Sequence, residues 1–273
     1  MAIHPTAVID KRAEIDPTAE IGPYAIIDGP VCVGAETVVM GHAFVCGHTT
    51  IGRGCRIFPH SVVGHEPQDL AYRGDPTRCV IGDEVIIREG VTVHRGTQPD
   101  TETVIGDRCY LMANAHVGHN CVLANDVKLV NAAVLGGHVQ VGPSAFLSGN
   151  SGVHQFVRIG ELAMMAGVCR IVNDLPPFML SDESGRCAGI NVVGLRRANF
   201  TADERNEIRM IHRLLYRSGR PFSAVMPEIE ATAMTAPAGR LVAWLKAPSK
   251  RGLVGSSERL RSKADARASS EPA

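Results

Sequence analysis

The sequence predicts an all-β solenoid, a parallel β-helix of hexapeptide repeats, followed by a small C-terminal α-helical domain. Three observations carry that prediction. Counting in sixes from Ile3 to Ile171 visits 29 positions, of which 26 are Ile, Leu, Val or Met; only Asp69, Asp75 and Pro99 are not. A period of six fits neither an amphipathic helix nor a half-buried strand, and it marks a solenoid whose turns stack on one another. A small residue recurs four positions after the aliphatic one, as at Ala7, Ala13, Ala19, Ala25 and Ala43. Finally, the period stops at Leu175-Pro176-Pro177, and helical spacing takes over.

From Ile3 to Val63 the repeat is unbroken, with both the aliphatic residue and the small residue pointing inward. Gly22, Gly34, Gly52, Gly82, Gly106, Gly118, Gly142 and Gly160 directly follow an aliphatic residue, where the chain must turn and a missing Cβ helps. Two segments lose the phase, 65–78 and 98–102, and are expected as extruded loops, the usual place for binding residues. The run from Ile105 to Ile171 has no gap. The solenoid is assigned to 1–190 and a helical domain to 191–248. In the latter, Thr201 with Glu204 forms a capping box ahead of Ile208, Ile211, Leu214 and Leu215. The turn Ser218-Gly219-Arg220-Pro221 precedes a helix near Ser223 to Ala233, and a short third helix spans Arg240 to Lys246. Residues 249–273 are rich in Ser, Arg and Ala and read as a disordered tail.

Lys plus Arg equals Asp plus Glu at 28 each, a balance that argues against nucleic-acid binding while leaving local basic clusters free to meet an acidic partner. No stretch approaches the ~20 apolar residues of a membrane span, and the protein is expected to be cytoplasmic. Eight cysteines without a Cys-x-x-Cys pair do not make a disulfide framework. Cys55, Cys109, Cys121 and Cys169 occupy the small inward position and read as core fillers.

In known hexapeptide solenoids three hexads close a coil of 18 residues, so Val117, Leu135 and Val153 should stack on one edge, about 4.8 Å apart. His119 then lies under Gly137, with Gln155 above; His138 and His154 are one residue off that column, and His116 precedes the same corner. Three readings stand. An imidazole near its ordinary pKa can act as general base on a sugar hydroxyl, with an unobstructed Gly137 N–H facing a developing oxyanion. The cluster can instead hold zinc, as in γ-class carbonic anhydrases, which share such a solenoid. Or the histidines are surface residues without a role.

The surrounding words favour the first reading. Gln68-Asp69-Leu70, Gly74-Asp75-Pro76-Thr77, Val93-His94-Arg95-Gly96-Thr97, Leu111-Met112, Asn114-Ala115-His116-Val117-Gly118-His119, Gly137-His138 and Val153-His154-Gln155-Phe156 occur in that order. They are followed by Asp174-Leu175-Pro176-Pro177, Gly189-Ile190-Asn191-Val192, Gly194-Leu195-Arg196-Arg197 and Tyr216-Arg217-Ser218-Gly219. This ordered set closely resembles the acyl-ACP:UDP-N-acetylglucosamine O-acyltransferase family of lipid A biosynthesis, from near the start of the chain to about Gly252.

The resemblance implies a left-handed parallel β-helix, a homotrimer with sites in clefts between subunits, and acyl carrier protein as co-substrate with no cofactor or metal. It implies His119 as catalytic base and Gly137 as oxyanion donor. His116, His138, His154 and Gln155 would hold the sugar, diphosphate or acyl chain, with Gln68 and Asp69 on the glucosamine. Asn191 and Arg197 would contact the nucleotide, and Gly167 would sit where acyl chain length is set. Arg196, Arg197, Arg217 and Arg220 are candidates for docking the acidic carrier. Four positions depart from the family pattern: Asn120 replaces an Asp beside the catalytic histidine, Ala71 a loop lysine with Arg73 nearby, Val193 an acidic residue, and Ala198 an arginine. The altered nucleotide residues leave open a paralogue acylating a 3-amino sugar nucleotide, Asn120 leaves open a non-catalytic scaffold, and the histidine cluster leaves open a zinc hydratase.

Overall fold

In the computed structural model, which describes residues 2–257, strands of two to four residues wind into a three-sided prism. Each strand pairs in parallel with the one a coil later: Ile3 with Ile21, Ile9 with Ile27, Ile15 with Val33. The three faces are sheets of 11, 9 and 8 strands. The prism is filled by the aliphatic residues of the repeat, with Ile27, Ile57, Leu111 and Leu129 fully buried, each contributing roughly 1.5–3 kcal/mol. Cys55, Cys109, Cys121 and Cys169 are buried among them as free thiols. Burial pushes the Cys121 thiol up to about 12, so it packs as a small apolar residue and is a poor nucleophile.

The turning residue is not the glycine expected from the sequence. It lies two positions further on, where Tyr24, Glu36, His42, His60, Arg108, Asn120 and His138 all have φ between 54° and 63°, a left-handed conformation that costs about 1–2 kcal/mol for a side-chain-bearing residue. Glycine directly after the aliphatic residue is required by close approach between coils. A Cβ on Gly142 would lie 2.5 Å from the Glu161 nitrogen, and one on Gly118 2.8 Å from the Leu135 oxygen.

Both excursions are whole numbers of hexads, which is why the phase survives them. Ile51 pairs with Ile81, thirty residues on instead of eighteen, and Ile81 pairs with Ile105, twenty-four on. His65, Arg78 and Glu102, at the edges of the expected loops, belong to the flanking strands. Arg95 fastens the first excursion to the prism: its guanidinium donates to the Gly64 carbonyl at 3.1 Å and to the Tyr72 hydroxyl at 2.8 Å.

The solenoid ends in an antiparallel pair, Met179–Ser181 with Cys187–Ile190. Four helices follow: α1 Val192–Arg197, α2 Ala202–Arg217, α3 Phe222–Thr232 and α4 Ala236–Lys246. The capping box at Thr201 and Glu204 starts α2. Helix α1 was not expected from the sequence, and α4 begins a turn earlier than the expected Arg240 because Pro237 is tolerated within a first turn. Arg158 locks this cap onto the prism. Its Nε meets Asp174 Oδ2 at 2.7 Å, and its Nη1 donates to the Trp244 and Ala247 carbonyls at the end of α4.

The disordered tail expected from Ser249 is corrected over its first nine residues. Leu253 bridges to Asp174 and Ser256 to Cys187, and Val254 is buried. Main-chain pairing with the last coil, together with burial of Val254 and packing of Leu253, orders a stretch that is otherwise polar. The remainder, 258–273, lies outside the described residues.

Candidate active site

Register builds the site. Val93, Val117, Leu135 and Val153 pair in successive coils of one sheet. The next residues along each strand therefore stack at one corner of the prism: His94, Gly118, Gly136 and His154, then Arg95, His119, Gly137 and Gln155. The corner encloses a cavity of about 420 Å³ whose walls include Gln68, Asp69, His94, His116, His119, Gly137, His154 and Gln155.

His119 is held in one tautomer. The Thr97 N–H donates to Asn120 Oδ1 at 3.1 Å, which fixes that atom as the amide oxygen, and the same oxygen lies 2.9 Å from His119 Nδ1. Nδ1 therefore carries the proton, leaving the Nε2 lone pair for the cavity. Asp69, from the first excursion, places Oδ2 3.4 Å from Nε2, where a carboxylate stabilises the imidazolium that forms when Nε2 takes a proton. Directly above, a Cβ on Gly137 would clash with the His119 ring. Among the described residues the Gly137 N–H has no protein acceptor, while its carbonyl accepts from Phe156.

Burial disfavours the charged form of three neighbouring histidines, His116, His138 and His94. His116 Nδ1 lies 2.7 Å from Thr92 Oγ1, and its pKa is lowered by burial and then by His119. His138 does not line the cavity; it stacks on Phe156 with centroids 4.5 Å apart and meets the His119 ring edge-on at 5.2 Å. Burial, then His119 and Lys250, lower its pKa. His154 Nδ1 lies 3.2 Å from the Gln155 carbonyl. His94, within the Val93-His94-Arg95-Gly96-Thr97 motif, is a site residue that the sequence did not single out. It is buried in the cavity wall, its pKa pushed down to about 4 by burial and then by the neighbouring His116, and its Nδ1 accepts the Gln68 N–H at 3.2 Å. The column containing it was legible only after subtracting the second excursion.

Asp69 is oriented by its own loop, since Oδ1 accepts the Ala71 N–H at 2.9 Å. Arg73 donates to the Leu70 carbonyl within the same loop. Three residues expected at the site are not at this corner. Asn191 caps α1, accepting from Gly194 and donating to the Leu162 carbonyl; Arg197 is exposed in the last turn of α1. Gly167 sits at the corner after Met165, one residue before the left-handed Val168, where a Cβ would meet only the Gly149 oxygen at 3.5 Å and the Ser148 Cβ at 3.9 Å. Among the described residues no three His, Cys, Asp or Glu side chains are arranged to hold one ion.

A family model described as UDP N-acetylglucosamine O-acyltransferase, domain 2, matches residues 174–254, and a bacterial transferase hexapeptide model matches 102–137. An acyl-(acyl carrier protein):UDP-N-acetylglucosamine O-acyltransferase from an Anaeromyxobacter species is 48% identical over 233 residues, 85% of this chain and 91% of its own length. The enzyme of that name from Burkholderia orbicola is 45% identical over 259 residues, 92% and 98% of the two chains. The chain belongs to this acyltransferase family. Among solved structures, the UDP-N-acetylglucosamine acyltransferase of Francisella novicida superposes with a TM-score of 0.90 at 33% identity, covering 93% of this chain and 94% of its own. The UDP-N-acetylglucosamine O-acyltransferase of Moraxella catarrhalis gives 0.89 at 37%, covering 93% and 100%. The fold of the family is the left-handed parallel β-helix with a small C-terminal helical region, and this chain has it from its first coil to α4.

Proposed function

We propose that the protein moves a 3-hydroxyacyl chain from acyl carrier protein to the 3-hydroxyl of UDP-N-acetylglucosamine, with His119 as general base, as the first step of lipid A biosynthesis. The observation that carries this reading is the orientation of His119, whose Nδ1 faces Asn120 Oδ1 while Nε2 faces the cavity against Gly137, with Asp69 Oδ2 3.4 Å away. Nε2 removes the hydroxyl proton as the oxygen attacks the thioester carbonyl. The oxyanion of the tetrahedral intermediate is stabilised by the Gly137 N–H. Collapse breaks the C–S bond, and the leaving pantetheine thiolate takes the proton from the imidazolium. No cofactor enters these steps.

Gln68 and Asp69 would grip the glucosamine, with His116, His154 and Gln155 along the rest of the substrates and His138 beside them, packed on the His119 ring. Asn191, Arg197 and Gly167 lie off the corner that carries His119, so they would reach a shared site from a neighbouring copy, which fits a homotrimer with three-fold clefts. There Asn191 and Arg197 would meet the nucleotide, and Gly167 would leave room for a longer acyl chain. Arg196, Arg197, Arg217 and Arg220 would face the acidic carrier, although Arg220 is also paired with Glu228 at 2.7 Å. No described helix is long and apolar enough to cross a membrane, and we place the reaction in the cytoplasm.

The test is acyl transfer from carrier thioesters of graded chain length to the 3-hydroxy and the 3-amino sugar nucleotide. Transfer to the hydroxyl acceptor is expected, and His119→Ala should lower kcat by about 10²–10⁴-fold. Clear preference for the amino acceptor would reassign the substrate. Undiminished transfer by His119→Ala would remove the base.

A further inference from the structure

The stretch after α4 does more than close the cap. Asn173 Nδ2 donates to the Arg251 carbonyl, the Asp174 N–H donates to the Gly252 carbonyl at 2.7 Å, and Leu253 and Ser256 continue in bridges. This pairing holds two consecutive cations against the corner that carries His119. Arg251 Nε donates to the Gln155 carbonyl at 2.9 Å, the oxygen that also meets His154 Nδ1. Lys250 Nζ lies 4.4 Å from the centre of the Phe156 ring, which stacks on His138. Among the described residues neither cation is paired with a carboxylate, and both Nη groups of Arg251 lack a protein acceptor.

Two unneutralised cations next to a wall residue of the cavity suit an anion. A guanidinium with two free nitrogens matches phosphate oxygens in particular. We infer that Lys250 and Arg251 form a phosphate subsite on the lip of the His119 cavity, an inference that rests on the acyl-transfer reading for its ligands. Both substrates of that reaction bring phosphate, the sugar nucleotide as a diphosphate and the carrier as the phosphodiester of its pantetheine arm. Arg251 would also be a positioning residue, because its bond to the Gln155 carbonyl sets the segment that carries His154.

The test is calorimetric binding of UDP and, separately, of free 4′-phosphopantetheine to the full-length protein. Wild type is compared with Lys250→Gln, Arg251→Gln, Arg251→Lys and the Lys250→Gln/Arg251→Gln double variant, with thermal midpoints to establish folding. The double variant should bind one of the two probes about tenfold more weakly, as expected for loss of charge-assisted bonds, and the affected probe names the source of the phosphate. Lys250→Gln should account for part of that loss, and Arg251→Lys, which keeps the charge but not the paired donors, should bind between Arg251→Gln and wild type. Affinities within twofold of wild type in the double variant, or no binding of either probe to wild type, would overturn the subsite. So would a loss confined to Arg251→Gln that Arg251→Lys does not restore, which would mark a purely structural bond. Binding is read without turnover. Phosphate bound through these residues by a protein that transfers no acyl group would sink the proposed reaction alone, whereas an active enzyme indifferent to both charges would sink the subsite alone.

Discussion

At the residue scale the distinctive choice is Asn120. Its amide oxygen accepts from both Thr97 N–H and His119 Nδ1, so the ring is oriented as well as by a carboxylate but gains no charge to offset the imidazolium. Asn120→Asp should therefore place a charge beside the imidazolium formed during transfer and raise kcat by about tenfold or more; steady-state rates on both proteins read this directly. His94 makes a titration visible. An unfolded imidazole binds a proton below about 6.5, whereas folded His94 resists protonation down to about 4. The unfolded chain thus holds more protons between those values. Stability should fall as pH is lowered through that window, by on the order of 2–3 kcal/mol, and denaturant titrations of His94→Gln should show a flatter dependence. His119 and Gly137 were legible because no gap separates their coils. His94 was not given a role, because a count that jumps by an unknown loop length cannot say which column it joins.

At the scale of the coil, glycine has two duties that the repeat alone does not separate. Gly142 and Gly118 admit the backbone of the next coil, while Gly137 admits the His119 side chain. Gly137→Ala should accordingly leave the fold in place but push the imidazole out of line, lowering kcat by about 10²-fold or more with little change in thermal midpoint. Gly142→Ala should do the reverse, destabilising by roughly 1–3 kcal/mol through overpacking with kcat per folded molecule preserved. Activity and thermal melts measured together distinguish the two. The excursions follow the same logic: each adds whole hexads, so the aliphatic phase was readable across both, yet the position of Asp69 beside Nε2 depends on how the loop folds back, pinned by Arg95 through contacts remote in sequence.

At the scale of the molecule, prism and helical cap are joined through a buried pair, Arg158 with Asp174, the latter fully enclosed. Asp174→Asn strands a guanidinium away from water and should cost about 3–5 kcal/mol, whereas replacing both partners with apolar residues should cost much less; urea unfolding of the single and double variants gives the comparison. Because Arg158 also holds the last carbonyls of α4, the single change should loosen the segment that brings Lys250 and Arg251 to the active-site corner.

The sequence by itself determined the solenoid, the inward side chains, the corner where His119 meets Gly137, and the helix that begins at Thr201, since each follows from short-range periodicity or a local cap. Tertiary structure alone decided that Asp69 faces Nε2, that His94 completes the wall, that Asn191 caps α1 away from that corner, and that residues 249–257 are ordered. The physical reason is the same in each case. A period propagates contacts only between neighbouring coils, whereas loops and strap are placed by hydrogen bonds to residues far away in the chain, which no local pattern encodes.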